Sequence, residues 1–442
     1  MADLKKLALQ IFHQTLAAID IPEAMQRKLR RDGSVLCLED DRVDLRKFDC
    51  VRVVAIGKAS HAMVEGFVGL LGENFSIEGI VSAPTPPARP VPDMKYFVAG
   101  HPTPDAQSWN AAEATLELLK QCDEKTVVFF LLSGGGSALV ELPLDPRQTL
   151  ADVQQLHRAL VTCGAPIDAM NTVRKHLSAV KGGRLAVAAG RATKITLAVT
   201  DVPVGKEWAL ASGPTLPDPT TVADVQRILA EFSLRQRLPA VLLRWLDENQ
   251  MPETPKAQDA AFHNAHFSLL LGLDDLFHPA HHATEAQGFV ACCDNTTDDW
   301  PVEKAAKYLL AQLEEVRRAN PGRNVAVIAD GEVSSPVTGK GTGGRNAAFV
   351  LACVEKIAGR KIVVLSAGTD GIDGNSPAAG AVADGETFER GRAAGFDVQA
   401  AFGESDSHHY FASLGDAIVT GPTGNNLRDL RILLAAGDAT KR

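Results

Sequence analysis

Three consecutive glycines between two serines occupy Ser133-Gly134-Gly135-Gly136-Ser137, directly after the apolar run Val127–Leu132 and before a segment of helical character. Consecutive glycines let the main chain approach a ligand closely, and a helix start presents unpaired N–H groups to an anion. A plain turn needs one glycine, so this loop reads as a binding site for phosphate or a nucleotide. Lys58, in Ile56-Gly57-Lys58-Ala59-Ser60, ends another apolar run, and its ammonium would face the same rim and neutralise phosphoryl oxygens during transfer. Asp201, in Val199-Thr200-Asp201-Val202-Pro203, ends a third run and suits a catalytic base or a Mg²⁺ ligand, with a turn-forming Asp as the competing reading. Asn171, Arg174 and Lys175 share one helix face by their spacing, either as a polar face for phosphate or carboxylate or as a solvated surface. Arg345 closes a long Gly/Ser/Thr loop that reads as a lid, and its guanidinium can grip a carboxylate or phosphate through two parallel hydrogen bonds. Asp370 and Asp373, in GTDGIDG, suit a cation- or hydroxyl-binding loop or ordinary Asx turns.

Standard signatures mostly fail. The phosphate loop G-x-x-x-x-G-K-[ST] is absent, and Gly339–Arg345 carries Arg where that motif needs Lys. GGGSAL places Leu139 where a nucleophile elbow needs its last glycine. His263 and His266, His281 and His282, and His408 and His409 lack the carboxylates or cysteines of a zinc pattern. Gly339, Gly341 and Gly344 match G-x-G-x-x-G, but the preceding strand is expected to end near Ala329, too far away for the tight turn a dinucleotide site needs.

The elements that must position these residues follow from periodicity. Helices are expected over 3–20 and 105–122, with Asp105 capping the second. Val51–Ile56, Val127–Leu132 and Ile195–Val199 read as buried strands that each feed a loop rich in polar residues or glycine. A second series, Val325–Ala329, Ile362–Leu365 and Ala417–Val419, does the same and ends in a helix near Asn426–Ala435. The polar stretch 246–264 separates the two series, so the expected domains are 1–245 and 260–442. The fold class is therefore α/β: two α/β domains, the first Rossmann-like with a mostly parallel sheet, facing each other across a cleft.

Composition narrows the function. The 442 residues carry 45 Lys+Arg against 54 Asp+Glu, a net charge of −9, with no dense basic run, which argues against nucleic-acid binding. No apolar stretch approaches the roughly 18 residues of a membrane span. Seven scattered cysteines without C-x-x-C, and an N-terminus without a signal core, fit a cytoplasmic protein. The expected partner is a small molecule, with no nucleic acid and no membrane; a homodimer stays open.

Taken in order, GKAS at 57–60, GHPTPD at 100–105, LLSGGGSAL at 131–139 and NTVRKHLSAVKGGRLA at 171–186 resemble the glycerate 2-kinase family of the MOFRL type. TDVP and ASGPT within 200–215, GEVSSPVTGKGTGGRN at 331–346, SAGTDGIDG at 366–374 and TGPTGNN at 420–426 continue the match over nearly the whole chain. The resemblance implies transfer of phosphate from ATP, with Mg²⁺, to D-glycerate, giving 2-phosphoglycerate. It assigns Lys58 and Arg345 basic catalytic or substrate-contacting roles. Asp201 becomes the acidic residue and metal ligand, and Ser133–Ser137 the nucleotide-phosphate loop, with Asn171 and Lys175 added as cofactor-binding residues. The chain departs from the family at Val204-Gly205-Lys206-Glu207, at Ala347-Ala348, where Gln-Glu is usual, and at His408-His409. The alternatives are an NAD(P)H-dependent hydroxypyruvate reductase, a kinase of a related sugar acid, and a non-catalytic sensor of sugar acids or nucleotides.

Overall fold

The computed structural model describes residues 2–38, 41–72, 75–200, 202, 205–248 and 251–437. The chain divides into two compact units, Ile21–Leu271 and a second made of Met1–Asp20 with Gly272–Arg442. In the first unit, Leu29–Asp32, Val35–Leu38 and Asp41–Asp44 (β1–β3) form a small antiparallel sheet. The main sheet of that unit holds Cys50–Ile56 (β4), Ile77–Ala83 (β5), Met94–Val98 (β6), Thr126–Ser133 (β7), Thr193–Val199 (β8) and Ala265–Leu271 (β9). All its pairings are parallel, in the order β6-β5-β4-β7-β8-β9. Counted from β4, this is the 3-2-1-4-5-6 order of doubly wound sheets, whose switch point lies between the two central strands.

The sequence explains these elements locally. Every residue of β7 is buried, as expected of a strand covered by helices on both faces. The helix Ala106–Lys120 starts where expected because the Asp105 carboxylate accepts from Gln107 N and Ser108 N, while Ser108 Oγ accepts from Asp105 N.

The second unit holds Val290–Asp294 (β10), Val325–Asp330 (β11), Ile362–Gly368 (β12), Gly380–Asp384 (β13), Ala417–Ile418 (β14) and Asp429–Ala435 (β15), in the order β10-β11-β15-β12-β13-β14. β15 corrects the helix expected near Asn426–Ala435. It lies mid-sheet, antiparallel to both β11 and β12. All seven of its residues are buried, and a short apolar run without alternation does not separate strand from helix by sequence alone.

The units also differ from the expected division. β9 registers Ala265 opposite Lys194 of β8, so the strand that follows the polar stretch belongs to the first unit's sheet, and the division falls at Leu271/Gly272 instead of within 246–264. The helix Ala2–Ala18 packs on the helix Leu273–Ala286 and on β12 and β15, burying Ala8, Ile11 and Phe12 completely. Lys5 Nζ reaches Asp416 at 2.9 Å and Asp384 at 3.3 Å. Among the described residues no helix is long and apolar enough to cross a membrane.

Because Phe12 seals the second unit, Phe12→Ala should cost about 3–5 kcal/mol. Hydrogen exchange should accelerate in β12 and β15 while β4 and β7 keep their protection. Equal loss of protection in both sheets would contradict the division.

Candidate active site

The ends of β4 and β7 meet at the switch point of the first sheet. Ile56 registers with Leu132, and immediately beyond them Lys58 N donates to Gly134 O at 3.0 Å and Ala59 N to Ser133 Oγ at 3.0 Å. Gly57 has φ +136°, and a Cβ there would stand 2.1 Å from Ser133 Oγ. The two loops are therefore laced together, and only glycine fits between them. Gly135, at φ +84°, lies between Lys58 and His101, and a Cβ on it would come within 3.2 Å of the Lys58 stem and 3.1 Å of the imidazole. The Lys58 side chain is exposed and has no ion-pair partner among the described residues. Burial, reinforced by Lys58, holds His101 below its ordinary pKa, so the ring is neutral near pH 7. The helix expected after the glycines spans only Gly136–Leu139, so close main-chain approach, more than a helix dipole, characterises this loop.

A polar chain continues from that loop. Ser137 Oγ contacts Ser212 Oγ, Ser212 Oγ donates to Asn171 Oδ1 at 3.2 Å, and Arg174 Nη1 donates to the same oxygen at 3.4 Å. Ser212 reaches this position with φ +60°, a left-handed conformation that L residues seldom adopt. Arg174 and Lys175 differ sharply on the helix Ile167–Leu177. Lys175 is fully buried, 3.2 Å from Asp218 Oδ1 and over the Trp208 ring at 3.9 Å, so its charge is already matched within the fold. Arg174 is half-buried with no carboxylate in ion-pair range among the described residues, and burial lowers its pKa with only partial offset from Glu141. On this helix Lys175 is therefore paired within the fold, whereas Arg174 has no ion-pair partner among the described residues. Glu141 is buried with Lys181 at 2.7 Å and His157 at 3.2 Å; burial opposes its charge, but the Lys181 ammonium and the His157 hydrogen bond outweigh it and hold its pKa at about 2. Asp201 lies outside the described residues. β8, which leads to it, ends with Val199 registered opposite Ser133.

In the second unit Arg345 opens the helix Arg345–Ile357 and is clasped by two carboxylates. Nε and Nη2 donate to Asp429 at 2.5 and 3.2 Å, while Nη1 and Nη2 each meet a Glu332 oxygen at 2.7 Å. Burial opposes the charge, but Asp429 and Glu332 outweigh it and raise the guanidinium pKa. Asp373 caps the same helix, accepting from Asn346 N at 2.9 Å and Ala347 N at 2.8 Å. Burial lifts its pKa to about 6 against those bonds, and the capping role answers for the residue type that had suggested a cation loop. Ala347 and Ala348, two of the departures, are buried in the core.

The Gly-rich segment before Arg345 is held to its surroundings. Thr338 N donates to Ser405 Oγ, Gly341 N to Glu404 O, Thr342 N to Asp406 Oδ1, and Gly343 N to Asn375 Oδ1. A Cβ at Gly339, Gly341 or Gly344 would lie within 2.5 Å of Glu404, Asp406 or Asp373. Close packing explains these glycines, and 338–344 is a seated segment where a lid was expected. Beyond it, Asp330 at the end of β11 is buried with neither carboxylate oxygen bonded to a protein donor among the described residues. Burial first, and Asp298 in addition, push it up to about 6 against Arg428 and Arg431.

Residues 7–247 match a family model described as a domain of unknown function (DUF4147), and 325–429 match the MOFRL family. The chain is 34% identical to the D-glycerate 2-kinase of Thermotoga maritima over 97% of this chain and 98% of that protein. It is 30% identical to the glycerate 2-kinase of Pyrococcus horikoshii over 98% and 97%, respectively. The crystal structure of the Thermotoga maritima glycerate kinase superimposes with a TM-score of 0.84 at 32% identity, covering 99% of this chain and 100% of that one.

Two outcomes follow from the geometry. Gly57→Ala forces a Cβ into Ser133 and should cost about 3 kcal/mol or more. Gly33→Ala, also at positive φ but with nothing within 4 Å, should cost about 1 kcal/mol; similar urea midpoints for the two would refute the steric account. Asp330 binds its proton more tightly folded than unfolded, so its stabilising contribution is complete below about pH 4 and is lost as pH rises through 6. Relative to the parent protein, Asp330→Asn should therefore gain about 3 kcal/mol at pH 8 and well under about 1 kcal/mol at pH 4 in urea unfolding.

Proposed function

The chain belongs to the glycerate 2-kinase family, and on that premise we propose that it phosphorylates D-glycerate on its 2-hydroxyl, with ATP as donor and Mg²⁺ on the nucleotide. The observation that carries this reading is the lacing of Lys58 to the Gly134–Gly136 main chain at the switch point between β4 and β7. Ligands of doubly wound sheets bind beyond the strand ends at such a point. An exposed ammonium, without an ion-pair partner among the described residues, beside a glycine surface suits the crowded negative charge of a triphosphate.

In this reading the 2-hydroxyl oxygen attacks the γ-phosphorus in line, the bond to the β,γ-bridging oxygen breaks, and ADP departs. The hydroxyl proton passes to Asp201, a hard oxygen donor that also suits Mg²⁺. That ion, when bound, supplies charge neutralisation on the phosphates. Lys58 takes phosphoryl charge, and Arg174, extended from Asn171 and Ser212, takes a further anionic group. Arg345 receives the glycerate carboxylate. Positioning and charge neutralisation carry such a transfer, with no covalent intermediate required. A dinucleotide-dependent reduction finds no support at Gly339–Gly344, because those glycines pack against 373 and 404–407.

The test is ADP release from MgATP with D-glycerate, L-glycerate, tartronate, erythronate and hydroxypyruvate, with product position read by ³¹P NMR. 2-Phosphoglycerate from D-glycerate is expected, with no NADH-dependent change at 340 nm on hydroxypyruvate. Lys58→Ala and Arg345→Ala should each lower kcat/KM by on the order of 10²-fold or more. Near-parental kinetics in either variant removes that residue from the site, and turnover of a different acid alone redirects the substrate assignment.

A further inference from the structure

The two carboxylates that clasp Arg345 are not equivalent. Asp429 is the first residue of β15, its side chain only 3% exposed, and it takes the Nε/Nη2 side of the guanidinium. Glu332 takes the end-on Nη1/Nη2 side with its side chain 44% exposed. The Glu332 main chain is fixed, since its N–H donates to Asp298 Oδ1 at 2.8 Å and its carbonyl accepts from Asp299 N at 2.8 Å. The side chain beyond it reaches toward water. Four of the five N–H directions of Arg345 are thus committed: Nε, one on Nη1 and both on Nη2. The end-on pair is the geometry in which an arginine receives a carboxylate with two oxygens.

We propose that Glu332 is a resident stand-in for the substrate carboxylate, and that binding of a 2-hydroxy acid exchanges one carboxylate for the other on Arg345. This rests on the assignment of Arg345 to the substrate carboxylate. Asp429 cannot serve as the exchanging partner, because leaving would strand a buried charge, whereas Glu332 can turn into solvent at the small cost of a half-exposed ion pair. While the site is empty, Glu332 keeps the guanidinium aligned and its end-on face satisfied. The exchange also confers selectivity. A plain carboxylate such as acetate only replaces what Glu332 already provides, while a 2-hydroxy acid brings its hydroxyl and further contacts to tip the balance. Glu332 is therefore a specificity-determining residue for the acid.

Glu332→Gln and Glu332→Ala remove the competing charge at a partly exposed position. Both should lower KM for D-glycerate about three- to fivefold, the scale of an exposed ion pair. The inhibition constant of acetate should fall by a similar factor, while KM for MgATP stays where it was. A KM for glycerate that is unchanged or raised in both variants, while Arg345→Ala raises it, overturns the exchange and leaves the assignment of Arg345 standing. A fall in kcat of tenfold or more with KM unmoved also overturns it, by making Glu332 part of the chemistry. If Arg345→Ala leaves KM for glycerate unmoved, the assignment beneath the proposal fails, whatever the Glu332 variants do.

Discussion

The pairing of β4 with β7 is the constraint on which the first unit's site depends. Parallel strands in register end at the same level, so the residues after Ile56 and after Leu132 emerge side by side. Here they approach so closely that Gly57 has no room for a Cβ against Ser133, and the Lys58 main chain bonds directly to Gly134. The glycine loop takes its shape from the neighbouring strand, and Lys58 is presented by that same contact. The third participant, His101, follows β6 on the same side of the sheet, and its ring borders Gly135. A sheet in the 3-2-1-4-5-6 order collects loops from several strands at one place, which no single hairpin or helix could do.

Charge compensation organises the rest, and it sorts cations into those already matched and those left available. Lys175, Lys181 and Arg345 each have carboxylates within 3.2 Å, whereas Lys58 and Arg174 have none in ion-pair range among the described residues. Taking a charge out of water is tolerated where a partner and hydrogen bonds accompany it. Arg174, half-buried without a carboxylate, is accordingly the better candidate to meet an anionic ligand. The second unit shows the converse in Asp330, a buried carboxyl with no protein donor among the described residues, whose ionisation is opposed first by burial.

The departures from the family pattern fall in different environments. Ala347 and Ala348 sit in the core of the second unit, with Ala347 N bonded to Asp373. His408 N donates to Thr342 O and His409 Nδ1 lies 2.6 Å from Asp406 Oδ1, which places both in the shelf that seats the Gly-rich segment. Lys206 lies on the surface, paired with Asp168 at 2.7 Å, and Glu207 Oε1 accepts from Gly205 N; Val204 lies outside the described residues.

Local pattern was enough to read much of this protein. The strands β4, β7, β8, β11 and β12 and the capped helix after Asp105 follow from apolar runs, glycine and capping chemistry, which act over a few residues, and the same patterns single out Lys58 and Ser133–Ser137 as candidates. Family likeness was legible as well, because ordered motifs survive where individual ones are weak. What the sequence left undecided depends on neighbours distant in the chain. Asp429–Ala435 is a strand because β11 and β12 flank it, not because of its own period. The N-terminal helix belongs with residues after 272 because its apolar face is covered there. Lys175 and Arg174 are adjacent in sequence and alike in charge, yet Asp218 and Trp208 neutralise one and leave the other available. Likewise the Glu332 and Asp429 clasp on Arg345 joins residues far apart in the chain, and no local spacing records it. Sequence reports what each segment can form; burial and charge pairing, which are set only when distant segments meet, decide which side chains remain available for chemistry.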